Sequence, residues 1–485
     1  MALLSTIDMH EVSVPRVLIS GTAQGVGKSL LALGLGHEFK RRGVAYSSCV
    51  VGPALAQAIL HRRLAGRYVR CLDERMLTAS QNLFGLAQAA SGAELILIEG
   101  HDGLYDGAFP GGLRGSDAEI AALTGTPVVL VADARGFANS IAAVIKGYSD
   151  LAQGFLVAGT VLNRLPSGQH AQVRKNFEVS LEWQRLRPLI GALPELTLSA
   201  VPPPAFLTEG HNFTSMPRQF YVDIGAAVGA YVDVESVIQT AGLAQPLPAQ
   251  NVNVESGPRR TRIAVSEDGC FAYCFQDNLE LLRLFGAELV SFSPLADTEL
   301  PDRIGGVYLT GAFLPEYAAE LSNNTAMHKS LRSFAERGGV IYAEGGGAAY
   351  LAREWRVHDP RSAKDVLALP GVGILPATVT HTDSRMTHTA GCYAEAVTVE
   401  ESILGRGGQI VKGYITGEWR VSREERLMKV LRVSRSGQPS LHEGYSPSAQ
   451  IVATFCFAHF GSNLELARSI VDAAEVVSPM GRLGR

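Results

Sequence analysis

Short apolar runs alternate with helix-length segments through the first half of the chain. Val14–Ser20, Leu95–Glu99, Pro127–Ala132 and Gly154–Asn163 are apolar stretches of strand length, and Lys28–Arg41 reads as a helix. Buried strands separated by helices predict a parallel sheet with helices on both faces. After Arg260 the rhythm restarts, with Thr261–Val265, Ala287–Phe292, Gly306–Leu309, Gly339–Ala343 and Gln450–Phe457 as strands. Between the halves, Ala241–Arg260 (AGLAQPLPAQNVNVESGPRR) is rich in Pro, Gln, Asn and Ser, the composition of a linker. The expected organisation is an α/β domain over 1–240, a linker over 241–260 and a second α/β domain over 261–485.

Length and composition agree with that division. A chain of 485 residues exceeds one ordinary core, and 46% hydrophobic with 19% charged residues is a globular composition. A net charge of −4 offers no footprint for nucleic acid or an anionic membrane. No apolar run reaches the length of a membrane span, and the first residues carry Asp8 and Glu11 where a secretory signal would be basic and then apolar. Six scattered cysteines suit a reducing cytoplasm. Cys270 and Cys274 are spaced for one face of a helix, but no further Cys or His stands near them to complete a metal site.

The segment Ser20-Gly21-Thr22-Ala23-Gln24-Gly25-Val26-Gly27-Lys28-Ser29 follows a predicted strand and opens a helix. Glycines let backbone N–H groups turn inward around phosphates, and a helix N-terminus adds the positive end of its dipole. Gly21, Thr22, Gly25 and Gly27 would form such a phosphate loop, Lys28 would reach the β/γ-phosphates of a nucleotide, and the Ser29 hydroxyl would ligate Mg²⁺. Glu99, at the carboxyl edge of a strand, is a second Mg²⁺ candidate or alternatively a cap or ion-pair partner. Asn163 closes another strand and could hydrogen-bond the adenine edge; Asp133 is a similar candidate, with helix capping as its plainer role.

These residues carry a resemblance. Ser20–Leu35 (SGTAQGVGKSLLALGL), Glu99–Gly107 (EGHDGLYDG), Ser116–Tyr148, Ala158–Arg164 (AGTVLNR), Asn278–Leu300 and Tyr342–Leu351 (YAEGGGAAYL) resemble the cobyrinic acid a,c-diamide synthase family, in the family's order, from about Pro15 to Ala473. The resemblance implies an N-terminal P-loop synthetase domain joined to a C-terminal class I glutamine amidotransferase-like α/β domain. It also implies ATP and Mg²⁺ as cofactors, a tetrapyrrole carboxylate of the corrinoid or sirohaem type as ligand, and a homodimer. In that chemistry an acyl phosphate makes the carboxylate electrophilic, and a cysteine thiolate activated by a histidine releases ammonia from glutamine.

The departures cluster at the chemistry. The family's AECGG is here Ala343-Glu344-Gly345-Gly346-Gly347, so Gly345 stands where the nucleophile belongs. Loss of such a nucleophile costs on the order of a millionfold in rate. The general-base position falls on Phe457, with His459 beside it and Cys456 on the same strand. In the oxyanion loop, Tyr308–Glu316, only Gly311 keeps its place. The family's KVGPDYIDP becomes Val51-Gly52-Pro53-Ala54-Leu55-Ala56-Gln57-Ala58, and Ala54 and Ala58 are read as the lost acidic pair. RHLGL is replaced by Pro202–Leu207, and GHEFHYS by Gly413–Trp419. Two functions remain open: an ATP-dependent ligase taking ammonia from solution or from a partner protein, and a non-catalytic scaffold or regulatory subunit that binds nucleotide or tetrapyrrole. An intact glutamine-dependent synthase is the reading that Gly345 and Phe457 oppose.

Overall fold

A computed structural model describes residues 6–9, 12–107, 112–165, 170–183, 188–196, 217–248, 250–253, 259–312, 314–359, 362–382, 391–424, 427–435 and 438–478. The replaced segment Pro202–Leu207 and Phe313 of the oxyanion loop lie outside them. The chain forms two compact units, one built between Ile7 and Val252 and the other mainly from Asn253 onward. Ala241–Arg260 is not free of regular structure, since it contains the strand Gln250–Asn253.

The first unit holds a seven-stranded sheet in the order Arg70–Leu72, Tyr46–Val51, Leu95–Gly103, Arg16–Gly21, Val128–Asp133, Val157–Leu165, Leu189–Pro194. All of its pairings are parallel. The central strand shows why. Val17 and Ile19 pack with Leu31, Leu35 and Phe39 on one face, and Leu18 packs with Leu86, Ile98 and Ile120 on the other. Both faces are apolar because helices cover both. Parallel register also gathers the carboxyl ends on one edge: Gly21 lies beside Val131 and Gly103, and Asp133 beside Asn163. One expectation shifts. The strand carrying Glu99 continues to Gly103, so Glu99 sits within it and not at its end.

The second unit joins five parallel strands (Ala287–Phe292, Thr261–Ser266, Gly306–Leu309, Val340–Glu344, Ile451–Thr454) to five antiparallel ones. A separate four-stranded sheet uses Ala352–Asp359, Ser362–Pro370, Leu375–His381 and Trp419–Glu424. The apolar run Gln450–Phe457, expected as one strand, is split at Phe455. Ile451–Thr454 pairs with Val340–Glu344, whereas Cys456–Ala458 pairs with Ile410–Ile415. The buried Glu443 carboxylate accepts the Thr454 hydroxyl at 2.7 Å and the Phe455 N–H, which holds the chain where it changes partner. Cys270 and Cys274 are not on a helix: they flank the short strand Phe271–Tyr273, and the next helix begins at Gln276. Among the described residues no helix is long and apolar enough to cross a membrane.

Candidate functional site

The glycine-rich loop runs from the central strand into the helix Lys28–Arg41, with Gly25 at φ 76° and Gly27 at φ 106°. L-residues with side chains rarely adopt such angles. A Cβ at Gly27 would also lie 2.1 Å from Asn163 Nδ2. That amide donates to Val26 O at 2.8 Å, and Asn163 Oδ1 accepts from Arg164 N–H at 2.9 Å. Asn163 therefore braces the loop, a role its place in the sequence did not suggest. Arg164 completes the brace, bonding Gly25 O at 2.9 Å and Asp133 at 2.7 Å.

No side chain caps the helix at Gly27, so its first-turn N–H groups face the loop's concavity. Lys28 is buried, and its ammonium donates to Ala23 O at 3.3 Å. Burial lowers its pKa, opposed by Asp117, Glu99, Asp102 and Asp106. The Ser29 hydroxyl donates to Glu99 Oε1 at 2.5 Å, which places the two expected Mg²⁺ candidates in contact. Uncapped N–H groups, a buried lysine and paired hard oxygens fit a polyphosphate with its Mg²⁺. Among the described residues no three His, Cys, Asp or Glu could hold a metal by themselves, so phosphate and water oxygens would have to complete the set.

Two neighbours escaped the sequence. His61, on the helix Leu55–Ala65, lies 2.7 Å from Glu99 Oε2. Asp117, wholly buried, accepts from the Ser20 hydroxyl at 2.5 Å and from His101 N–H at 3.0 Å. Burial pushes it up to about 6, opposed by those two bonds and by Lys28. A Cβ at Gly100 would fall 1.9 Å from Asp117 Oδ2, so glycine there is what admits the carboxylate. A histidine on an apolar helix and an acid in a first turn are ordinary residues until the fold brings them here.

The second unit keeps a sharp strand-to-helix turn. Val340–Glu344 ends at Gly345, φ 50°, which begins the helix Gly345–Tyr350. A Cβ at Gly345 would lie 2.3 Å from Phe457 Cζ, and one at Gly311 would lie 2.6 Å from Phe457 Cε1. The buried Phe457 ring, edge-on to Tyr273 at 5.5 Å between centroids, fills the volume that a side chain at 345 would need. Its strand is pinned by polar bonds. Glu344 accepts from Ala458 N–H at 3.0 Å and from the Tyr308 and Tyr342 hydroxyls, both at 2.7 Å. Asn278 bonds Ala458 O and Phe460 N–H, each at 2.8 Å. Burial pushes Glu344 up to about 7, opposed by its three hydrogen bonds.

The residues at the other expected glutaminase positions are held by local bonds and packing. His459 Nδ1 accepts from Gly461 N–H at 3.1 Å, and its ring packs on Phe275 at 4.7 Å. Thr310 N–H is taken by Ser266 Oγ at 2.9 Å, and Gly311 pairs with Tyr273 in a short ladder. Burial, then Glu443 and Glu344, hold the Cys456 thiol well above its usual range, which disfavours the thiolate a nucleophile requires.

Residues 262–464 match the CobB/CobQ-like glutamine amidotransferase domain. The chain is 29% identical to a cobyrinate a,c-diamide synthase of Leptospira interrogans (serogroup Icterohaemorrhagiae serovar Lai) over 95% of its own length and 99% of the relative's. It is also 29% identical to one from Dehalococcoides mccartyi, over 96% and 99%. Over nearly its whole length, therefore, the chain is similar to cobyrinate a,c-diamide synthases. Among solved structures, PurLQS from Thermotoga maritima matches 44% of this chain and 98% of that one at 16% identity and a TM-score of 0.33. One family position needs correction. Counted from Gly52-Pro53, the second acidic position of KVGPDYIDP falls on Gln57, not on Ala58. Ala54 and Ala58 instead join Val50 and Val69 in a small apolar cluster.

Gly345→Ala should destabilise the second unit by about 2–4 kcal/mol, the sum of left-handed strain and overpacking. In a Phe457→Ala background the added cost should fall to about 1 kcal/mol, which denaturant titration of the four proteins in the cycle would measure. A second expectation concerns pH. The folded-state pKa of Glu344 is raised, so its stabilising contribution is full below the ordinary 4.5 and is lost as pH rises through about 7. Chemical denaturation from pH 4.5 to 7 should show stability falling more steeply in the natural protein than in Glu344→Gln.

Proposed function

We propose that this chain binds ATP with Mg²⁺ at Gly21–Ser29 and Glu99, acts on a tetrapyrrole carboxylate of the corrinoid or sirohaem type, and hydrolyses no glutamine of its own. The observation that carries the reading is the Phe457 ring in the space above Gly345, where a Cβ would be 2.3 Å from Cζ. A thioester cannot form on glycine, and the ring leaves no room for a displaced nucleophile at the turn. The loop, by contrast, keeps its left-handed glycines, its buried lysine and the Ser29–Glu99 contact. Curated relatives that carry the name cobyrinate a,c-diamide synthase over nearly their whole length support the substrate class.

In this reading the loop N–H groups and Lys28 bind and orient the phosphates, and Ser29 and Glu99 hold the cation. When bound, ATP with Mg²⁺ supplies the phosphoryl group that activates a carboxylate toward ammonia. Ammonia then comes from solution or from a partner protein. A second reading, a nucleotide- or tetrapyrrole-binding scaffold without turnover, draws support from the apolar Val50–Ala54–Ala58–Val69 cluster in the segment where the family carries acids.

Purified protein supplied with ATP, Mg²⁺, a cobyrinate- or sirohaem-type acid and a nitrogen source separates these readings by mass spectrometry. Ammonium should support amide formation and glutamine should not. ATP binding without amide formation would favour the scaffold. Glutamate released from labelled glutamine at an enzymatic rate would sink the proposal for the second unit.

A further inference from the structure

The first-unit site contains a buried group that no part of the proposed chemistry uses. His61 lies on the helix Leu55–Ala65, one turn beyond Gln57, and its side chain is 0% exposed. Its Nε2 is 2.7 Å from Glu99 Oε2, while the Ser29 hydroxyl bonds Glu99 Oε1 at 2.5 Å. Each carboxylate oxygen therefore has a different partner. His61 Nδ1 has no hydrogen-bond partner among the described residues. Among the described residues the contact with Glu99 is thus the ring's one hydrogen bond.

We infer that His61 is a positioning residue that holds Glu99 so that Oε1 faces Ser29 and is the oxygen available to a divalent cation. The inference rests on the ATP·Mg²⁺ reading above and adds to it the residue that orients the metal ligand. A carboxylate accepts, so the Nε2–H tautomer is the one this geometry selects. Glu99 is only 2% exposed. Without that donor, Oε2 would be left buried and unbonded, and the side chain would gain by turning to find another partner. A buried lone pair left unbonded costs less than a buried N–H left unbonded, so the unpartnered Nδ1 agrees with the same tautomer. A core histidine filling space would have no reason to meet the one carboxylate that touches Ser29. Groups that orient metal ligands in this way are worth about 10- to 100-fold in metal affinity when removed.

The test compares ATP affinity with Mg²⁺ and with EDTA, by calorimetry, in the full chain. His61→Leu keeps bulk and removes the donor. His61→Gln keeps an N–H at similar reach. The natural protein should bind ATP more tightly with Mg²⁺. His61→Leu should lose about tenfold or more of the Mg²⁺-dependent affinity, with the EDTA value changed less than about twofold. His61→Gln should retain most of the Mg²⁺ effect, and it carries the test if His61→Leu does not fold: loss of the Mg²⁺ effect there overturns the inference. Equal losses with Mg²⁺ and EDTA would reduce His61 to a structural residue. An unchanged His61→Leu would refute the orienting role while leaving the ATP reading intact. Absence of ATP binding by the natural protein would overturn both.

Discussion

One volume in the second unit admits one occupant, and the ring of Phe457 has it. A Cβ at Gly345 or at Gly311 would overlap that ring, so residues far apart in sequence constrain one another through steric exclusion alone. Interiors are packed too tightly to accommodate a new side chain without moving an old one. The polar groups around the ring follow from its position. Glu344, Tyr308, Tyr342 and Asn278 bond the backbone of Ala458 and Phe460 or one another, and so fix the strand that carries Phe457. The turn retained the left-handed backbone a nucleophile would need, with glycine now the residue suited to it.

The first unit shows the opposite balance. Its loop, helix and strand edge meet at the left-handed glycines, and the side chains around them are hydrogen-bonded. Asn163 holds Val26, Arg164 holds Gly25, and Ser29 and His61 divide the Glu99 carboxylate. What changed lies on the helix Leu55–Ala65 and the residues leading into it, where alanines joined an apolar cluster. The two units thus differ at the positions compared: the first holds its glycine-rich loop by hydrogen bonds, and the second fills the space above Gly345 with an aromatic ring.

Much of this was legible in the chain because it depends on local rules. Glycines at positions 25 and 27 were readable because positive φ is a property of one residue and its neighbours. The parallel sheet was readable because strands buried on both faces are apolar throughout. Gly345 and Phe457 were readable as departures from a family pattern, but their contact was not, since nothing local relates them. His61 and Asp117 gave no signal either. A buried histidine in an apolar helix has the same neighbours in sequence whether it meets a carboxylate or a methyl group. The run Gln450–Phe457 hid its break for a related reason: the group that redirects it, Glu443, is on another strand.

The sequence by itself determined the parallel sheet of the first unit, the left-handed glycines of its loop and the glycine at position 345, because composition, spacing and backbone preference act over a few residues. Tertiary structure alone decided which groups share a site. It placed His61 on the oxygen of Glu99 that Ser29 leaves free, turned Asn163 from an edge residue into a brace, and laid Phe457 over Gly345. Such pairings depend on where chain segments cross, and distance along the chain carries no record of that.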